Sequence, residues 1–150
     1  MQKNELKIGV YHLLCATEET RKGYSLLPDF DESDLGQAFF QHILKKGDQK
    51  SLSFLESLGI DLLKLTLARP VAPPDEEGVV LYLCCAPICA TLLAGGDIFP
   101  RKSEETEGIS VIFVSDKNAF SSGLPVISEK QVEMRFVIPL PFDEAFLKDK

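Results

Sequence analysis

Between Gly78 and Gly96 the chain reads GVVLYLCCAPICATLLAGG, nineteen residues that carry no formal charge and include three cysteines, in a protein whose charged fraction is 26%. Three kinds of structure use such a run. A helix of this length crosses a bilayer, strands of this composition fill a core, and an apolar patch packs on another chain. Arg101 and Lys102 lie just past one end, where the flanking cations of a span would stand. Against a span, Pro87 sits at the centre, Val79 and Val80 favour extended backbone, and Gly95-Gly96 reads as a turn. The run then divides into VVLYLCCA, a fully buried strand, and ICATLLAGG, a second strand or short helix, with Pro87 as the break. Core is the expectation, and a membrane-attached protein anchored by residues 78–96 is the alternative.

A chain of 150 residues is long enough to bury roughly two thirds of the surface its unfolded form exposes, so one domain over 1–150 needs neither disulfide nor metal to fold. The net charge of −7 sets up a field that repels phosphate backbones and anionic lipid, which argues against nucleic acid and makes membrane an unlikely partner. Lys3, Glu5 and Lys7 interrupt the N-terminus before any apolar run, so no secretory signal is read there. Four cysteines without such a signal fit reduced thiols, hence a cytoplasmic protein, with the nucleus as the other compartment that keeps thiols reduced.

Local periodicity sets the fold class. Leu6, Ile8 and Val10 alternate with polar or small neighbours and predict a strand, and TEETRKGYSLLPDFDESD, with Gly23 and Pro28 as breakers, predicts a connection. In DLGQAFFQHILKKG the residues Leu35, Phe39, His42, Ile43 and Lys46 share one helical side, Asp31 or Ser33 supplies the cap, and Gly47 the stop. A second helix follows Asp48, carries Leu52, Leu55 and Leu58, and ends at Gly59. Leu63, Leu65 and Leu67 then alternate as a strand that Pro70 ends, and RPVAPPDEEG is a stiff exposed loop. ISVIFVSD and QVEMRFVIPL are strands, the latter setting Val132, Met134, Phe136 and Ile138 against Glu133, Arg135 and Val137, with KNAFSSGLPVISEK as a long polar loop between them. The expectation is an α+β domain, a mainly antiparallel β-sheet with two or three helices.

Chemistry is thin along this chain. Cys84, Cys85, Cys89, Cys15 and His12 have the right atoms for zinc but neither a CxxC nor an HxxxH pair, and adjacent Cys84 and Cys85 on a strand would face opposite ways. A cysteine nucleophile near residues 84–89 needs a lowered pKa, which Cys89 would gain if a helix started after Pro87 or if His12 or His42 came near. The acidic clusters DFDESD, PDEEG and SEETE lie in breaker-rich text and read as solvated surface. Neither phosphate-binding glycine pattern is present. No catalytic, cofactor-binding or metal residue is predicted, and no cofactor.

The remaining signal is the end of the chain, 139–150. Pro139 and Pro141 terminate the last strand, and Phe142, Phe146 and Leu147 then recur at helical spacing opposite Asp143, Glu144 and Lys148. Such a short amphipathic tail either folds over its own sheet or inserts into a groove on another chain. The functional expectation is a small acidic protein-interaction domain, an adaptor, regulator or subunit of an assembly, whose partner is another protein or a second copy of itself, with Phe142, Phe146 and Leu147 as the candidate interface. The alternative to a non-enzyme is a small-molecule enzyme using the cysteine near residues 84–89.

Overall fold

The structure, a computed structural model, describes residues 3–65, 67–96 and 99–148, the side chains of residues 147 and 148 excepted. Among the described residues there are seven strands and four helices in one α+β domain with an antiparallel sheet. The strands are β1 (Asn4–Ile8), β2 (Tyr11–Cys15), β3 (Leu67–Pro70), β4 (Val79–Ala94), β5 (Glu104–Thr106), β6 (Ile109–Val114) and β7 (Gln131–Pro141). The helices are α1 (Thr17–Ser25), α2 (Leu35–Leu44), α3 (Gln49–Ser57) and α4 (Glu144–Lys148). The sheet runs β1-β2-β4-β7-β6-β5, and β3 pairs with β4 as well.

The uncharged stretch is the spine of this sheet. It forms one sixteen-residue strand, β4, rather than two elements divided at Pro87. One edge of β4 is paired with β7 from Val79 to Cys89, and the other edge takes β3 at Tyr82–Cys85 and β2 beyond Cys89. Pro87 does not break the strand because it lies where that second edge passes from β3 to β2, so its missing N–H is not required by a ladder. Among the described residues no helix is long and apolar enough to cross a membrane.

The gap between β3 and β2 is filled by α1. Ala16 N–H donates to the Cys89 carbonyl at 2.8 Å, Cys89 N–H donates to Thr20 Oγ1 at 3.0 Å, and the Tyr24 hydroxyl donates to the Pro87 carbonyl at 2.9 Å. Residues 17–25, expected as a connection, are therefore a helix that seals a strand edge through polar side chains, with only Thr17, Thr20, Gly23 and Tyr24 buried. Gly23 is no breaker here; it is a contact point, since a Cβ on it would lie 2.5 Å from Ile127 Cβ.

Other expectations shift by smaller amounts. The strand expected through Leu6, Ile8 and Val10 ends at Ile8 and is one arm of a hairpin over residues 4–15: Gly9, at φ 55°, turns the chain and has the Glu104 carboxylate packed where a side chain would go. The cap of α2 is Asp34, whose carboxylate accepts from Gln37 N–H at 3.1 Å, while Asp31 instead accepts from Ser33 N–H in the approach. Asp48 caps α3 as expected. Leu63 lies in a single 3-10 turn, Leu62–Lys64, and is 52% exposed; the strand begins only at Leu67, and Thr66 is outside the described residues. The cluster SEETE contributes β5, and the Glu104 carboxylate accepts Val10 N–H at 2.8 Å while the Tyr11 hydroxyl donates to the Lys102 carbonyl at 2.5 Å. These bonds curl the sheet until its two outer strands, β1 and β5, approach one another.

The core lies on one face of this sheet. Val80, Tyr82, Cys84, Ala86 and Ile88 of β4 and Val132, Met134, Phe136, Ile138 and Leu140 of β7 are all buried, against Phe40, Ile43 and Leu44 of α2 and Leu52 and Leu55 of α3. Phe40 meets Tyr82 with ring centroids 5.2 Å apart.

Candidate functional site

The sulfur and imidazole groups are dispersed. Cys84 points into the core and Cys85 to the opposite face of β4, Cys15 lies in β2, and Cys89 is mid-strand rather than at a helix start. All four are free thiols. Burial pushes the Cys15 thiol up to about 11 and raises that of Cys84. Burial also raises Cys85 and Cys89, outweighing the hydroxyls of Ser121 and of Thr20 and Ser128 that favour their thiolates. Nucleophilic activation needs the opposite shift. Each histidine faces a carboxylate: His12 Nε2 is 3.1 Å from Glu5, and His42 Nε2 is 2.6 Å from Asp143. Among the described residues no group of three or more His, Cys, Asp or Glu side chains gathers as a metal site.

One polar cluster was hidden from the sequence. Glu133, expected on the solvent side of β7, is 0% exposed because the loop 117–130 folds over it. Its Oε1 accepts from Ser121 N–H and from Arg135 Nε, each at 3.0 Å, and Arg135 also donates to the Ala119 carbonyl at 2.5 Å. Burial pushes the Glu133 carboxyl up, but the bonds from Ser121 and the Arg135 guanidinium prevail, and the balance falls below the ordinary glutamate value. The pair therefore pins the loop to the sheet. Its only sequence signal was an acid and a base two apart on one strand face.

The tail is where the expected interface residues meet. Pro141 ends β7, Phe142 N–H donates to the Gly78 carbonyl at 2.8 Å, and α4 follows with Ala145 N–H donating to Asp143 Oδ1 at 3.1 Å. The rings of Phe142 and Phe146 each lie 5.7 Å from that of Phe39 on α2, and Phe146 stacks on His42 at 4.7 Å. Leu147 belongs to α4, but its side chain lies outside the described residues. Lys46, just past the end of α2, and His42 of α2 hold the Asp143 carboxylate between them and lower its pKa to about 2, with the bond from Lys46 the larger cause.

Beside this tail runs an apolar groove of about 630 Å³. Phe39 and Gly36 of α2 form one wall, Phe142 closes one end, Val80 and Tyr82 form the floor, and the loop 70–74 is the other wall. Residues 71–74, VAPP, are all exposed; Val71 N–H donates to the Leu81 carbonyl of β4 at 2.9 Å, and the prolines that follow hold the wall stiff. Nothing in the groove lining is charged. Phe142 and Phe146 thus share α2 as a support, with Phe142 turned toward the groove and Phe146 toward His42. The sequence marked the tail and the proline loop separately, and only the pairing of β3 with β4 brings them together.

No protein-family model, no curated protein and no solved structure matches this chain.

Proposed function

We propose that this chain is a protein-interaction domain, an adaptor or subunit, whose groove between α2, the loop 70–74 and Phe142 receives apolar side chains of a protein partner. The observation that carries the reading is the groove itself, a preformed channel lined without charge in a protein of net charge −7. Open apolar surface rimmed by polar residues is what partners cover. The tail supports it from behind, since Phe142 and Phe146 hold the groove wall on Phe39. Free thiols at every cysteine support a reducing compartment, the cytoplasm or nucleus, as its place of action.

Ala72→Asp tests this reading, because Ala72 is exposed and lines the groove. Affinity capture from the native source should retain a stoichiometric protein with wild type and lose it with Ala72→Asp, while the unfolding curves of the two chains overlay within about 0.5 kcal/mol. Capture of no stoichiometric protein, or equal capture by both chains, would overturn it.

A further inference from the structure

On the outer face of the sheet the loop 117–130 and β3 enclose a second cavity, of about 570 Å³. Leu83 and Cys85 of β4 form its floor, Leu67 and Arg69 of β3 stand along one side, and residues 119–122 of the loop form the other. That wall is fixed in place by the bonds that bury Glu133: Ser121 N–H donates to the Glu133 carboxylate, Arg135 donates to the Ala119 carbonyl, and the Ser121 hydroxyl donates to Cys85 Sγ at 3.4 Å. Gly123 brings the loop down on β3, where a Cβ on it would lie 3.8 Å from Leu67. Among the described residues the lining holds two charges, both cationic. That of Arg135 is matched by the buried Glu133 carboxylate. Arg69 is exposed and has no ion pair or hydrogen bond within the chain among the described residues. Burial raises the Cys85 thiol, which therefore adds no negative charge at neutral pH. One unmatched positive charge is left beside apolar Leu67, Leu83 and Phe120, in a protein of net charge −7.

We propose that this cavity binds a small monocarboxylate with an apolar body, its carboxylate on the Arg69 guanidinium and its body over Leu83, between Leu67 and Phe120. A guanidinium presents two parallel N–H donors that match the two oxygens of a carboxylate, and an apolar body gains by leaving water for the leucines and the ring. The charge count selects a monoanion. A phosphate ester would bring a second negative charge that nothing in the lining matches, because Arg135 is already held by Glu133, and a cation would meet two guanidiniums. The size fits as well, since small-molecule pockets run from about 300 to 1,000 Å³ and set a few placed polar groups in an apolar lining. Glu133 and Arg135 hold the loop in position without a ligand, so binding costs little loop ordering. The cavity is floored by odd-numbered residues of β4 and the groove by even-numbered ones. They therefore lie on opposite faces, and a ligand in one does not compete with a protein in the other.

Hydrocinnamate, a phenyl ring on a short carboxylate chain, is the probe. Titrated into the purified chain and followed by backbone amide NMR shifts, it should saturate with a Kd of about 1 mM or below, with the shifts centred on Arg69, Leu83, Cys85 and Ser121. Its uncharged amide should bind about tenfold or more weakly. Arg69→Gln should weaken the acid about tenfold or more and leave the affinity for the amide within about twofold. Arg69→Lys keeps the charge without the fork and should fall between the two. Because Arg69 is exposed and has no partner among the described residues, these variants test recognition and not folding, and unchanged shifts away from the cavity check that. No saturable shift up to about 10 mM, equal affinity for acid and amide, or an Arg69→Gln chain that binds the acid as wild type does would each overturn the proposal. Shifts centred on Gly36, Val80 and Phe142 would place the probe in the groove, which overturns this site and leaves the groove reading standing.

Discussion

On β4 and β7 the even-numbered side chains face the core and the odd-numbered ones face out. Tyr82, Cys84, Ala86, Met134, Phe136 and Ile138 are no more than 5% exposed, whereas Leu81 is 43% exposed and Leu83 and Val137 are half-buried. Yet the outward residues of β4, Leu81, Leu83, Cys85 and Pro87, are as free of charge as the inward ones. Residue type alone therefore does not set burial here. What lies above each face does. The inner face is covered by α2 and α3, each with an apolar stripe of its own, while among the described residues the outer face is crossed by the loop 117–130 and met by α1 at Cys89. An uncharged strand with no alternation is thus the mark of two apolar surfaces, one covered by α2 and α3 and one covered only in part.

The comparison is broken most directly by truncating one apolar side chain on each side. Phe136, 1% exposed, should cost about 3–5 kcal/mol when changed to Ala, through lost burial and the cavity left. Leu83→Ala should cost under about 1 kcal/mol, as half-exposed sites do. Urea unfolding checks both. Equal costs would mean that the outer face is already covered within the chain.

At the far end of the outer side Glu133, Gln131, Pro87 and Cys89 are buried, and Glu133 sharpens the rule because it is buried under the loop 117–130. Glu133→Gln should cost about 2 kcal/mol at pH 7, a value below the range for breaking a fully buried pair because Arg135 keeps 26% of its side-chain exposure. The pH dependence follows from the lowered pKa. The folded state favours the carboxylate, so its contribution is full above the ordinary glutamate value of 4.5 and is lost as pH falls through the lower folded value. The gap between wild type and Glu133→Gln should accordingly be flat from about pH 6 to 8 and narrow below about 4.5. A gap that widens in acid would mean that Glu133 is not held as a carboxylate.

The same contrast explains what was legible in the sequence. α2, α3 and β7 were readable because each pairs one apolar side with a more polar one, the pattern that a single covering layer produces, and β6 by its run of β-branched and aromatic residues. β4 was readable as core but not as one strand, since Pro87 looks like a break until the partner change along its edge is known. β5 was hidden by its own charge, with Glu104 turned inward to cap Val10 N–H and Glu105 turned out. The groove beside the tail was half legible: Phe142, Phe146 and the proline loop stood out, but Phe39 had no mark that tied it to either.

The smallest effect is expected at α1, the element with least apolar signal. If α1 completes the edge of β4 through hydrogen bonds, its worth lies in groups that pair backbone rather than in area. Tyr24 is 1% exposed, and its hydroxyl donates to the Pro87 carbonyl. Tyr24→Phe keeps the ring and strands that carbonyl, at a cost of about 1–1.5 kcal/mol. Thr20→Val removes the acceptor of Cys89 N–H at a similar cost, and the Cys89 amide should then exchange with solvent faster than its neighbours on β4. Because both bonds close one gap, the double variant should cost less than the two singles added, since opening the gap once admits water to both groups. Full additivity, with the Cys89 amide as protected as in wild type, would place α1 beside the sheet as a packed helix and not in the edge as its missing partner.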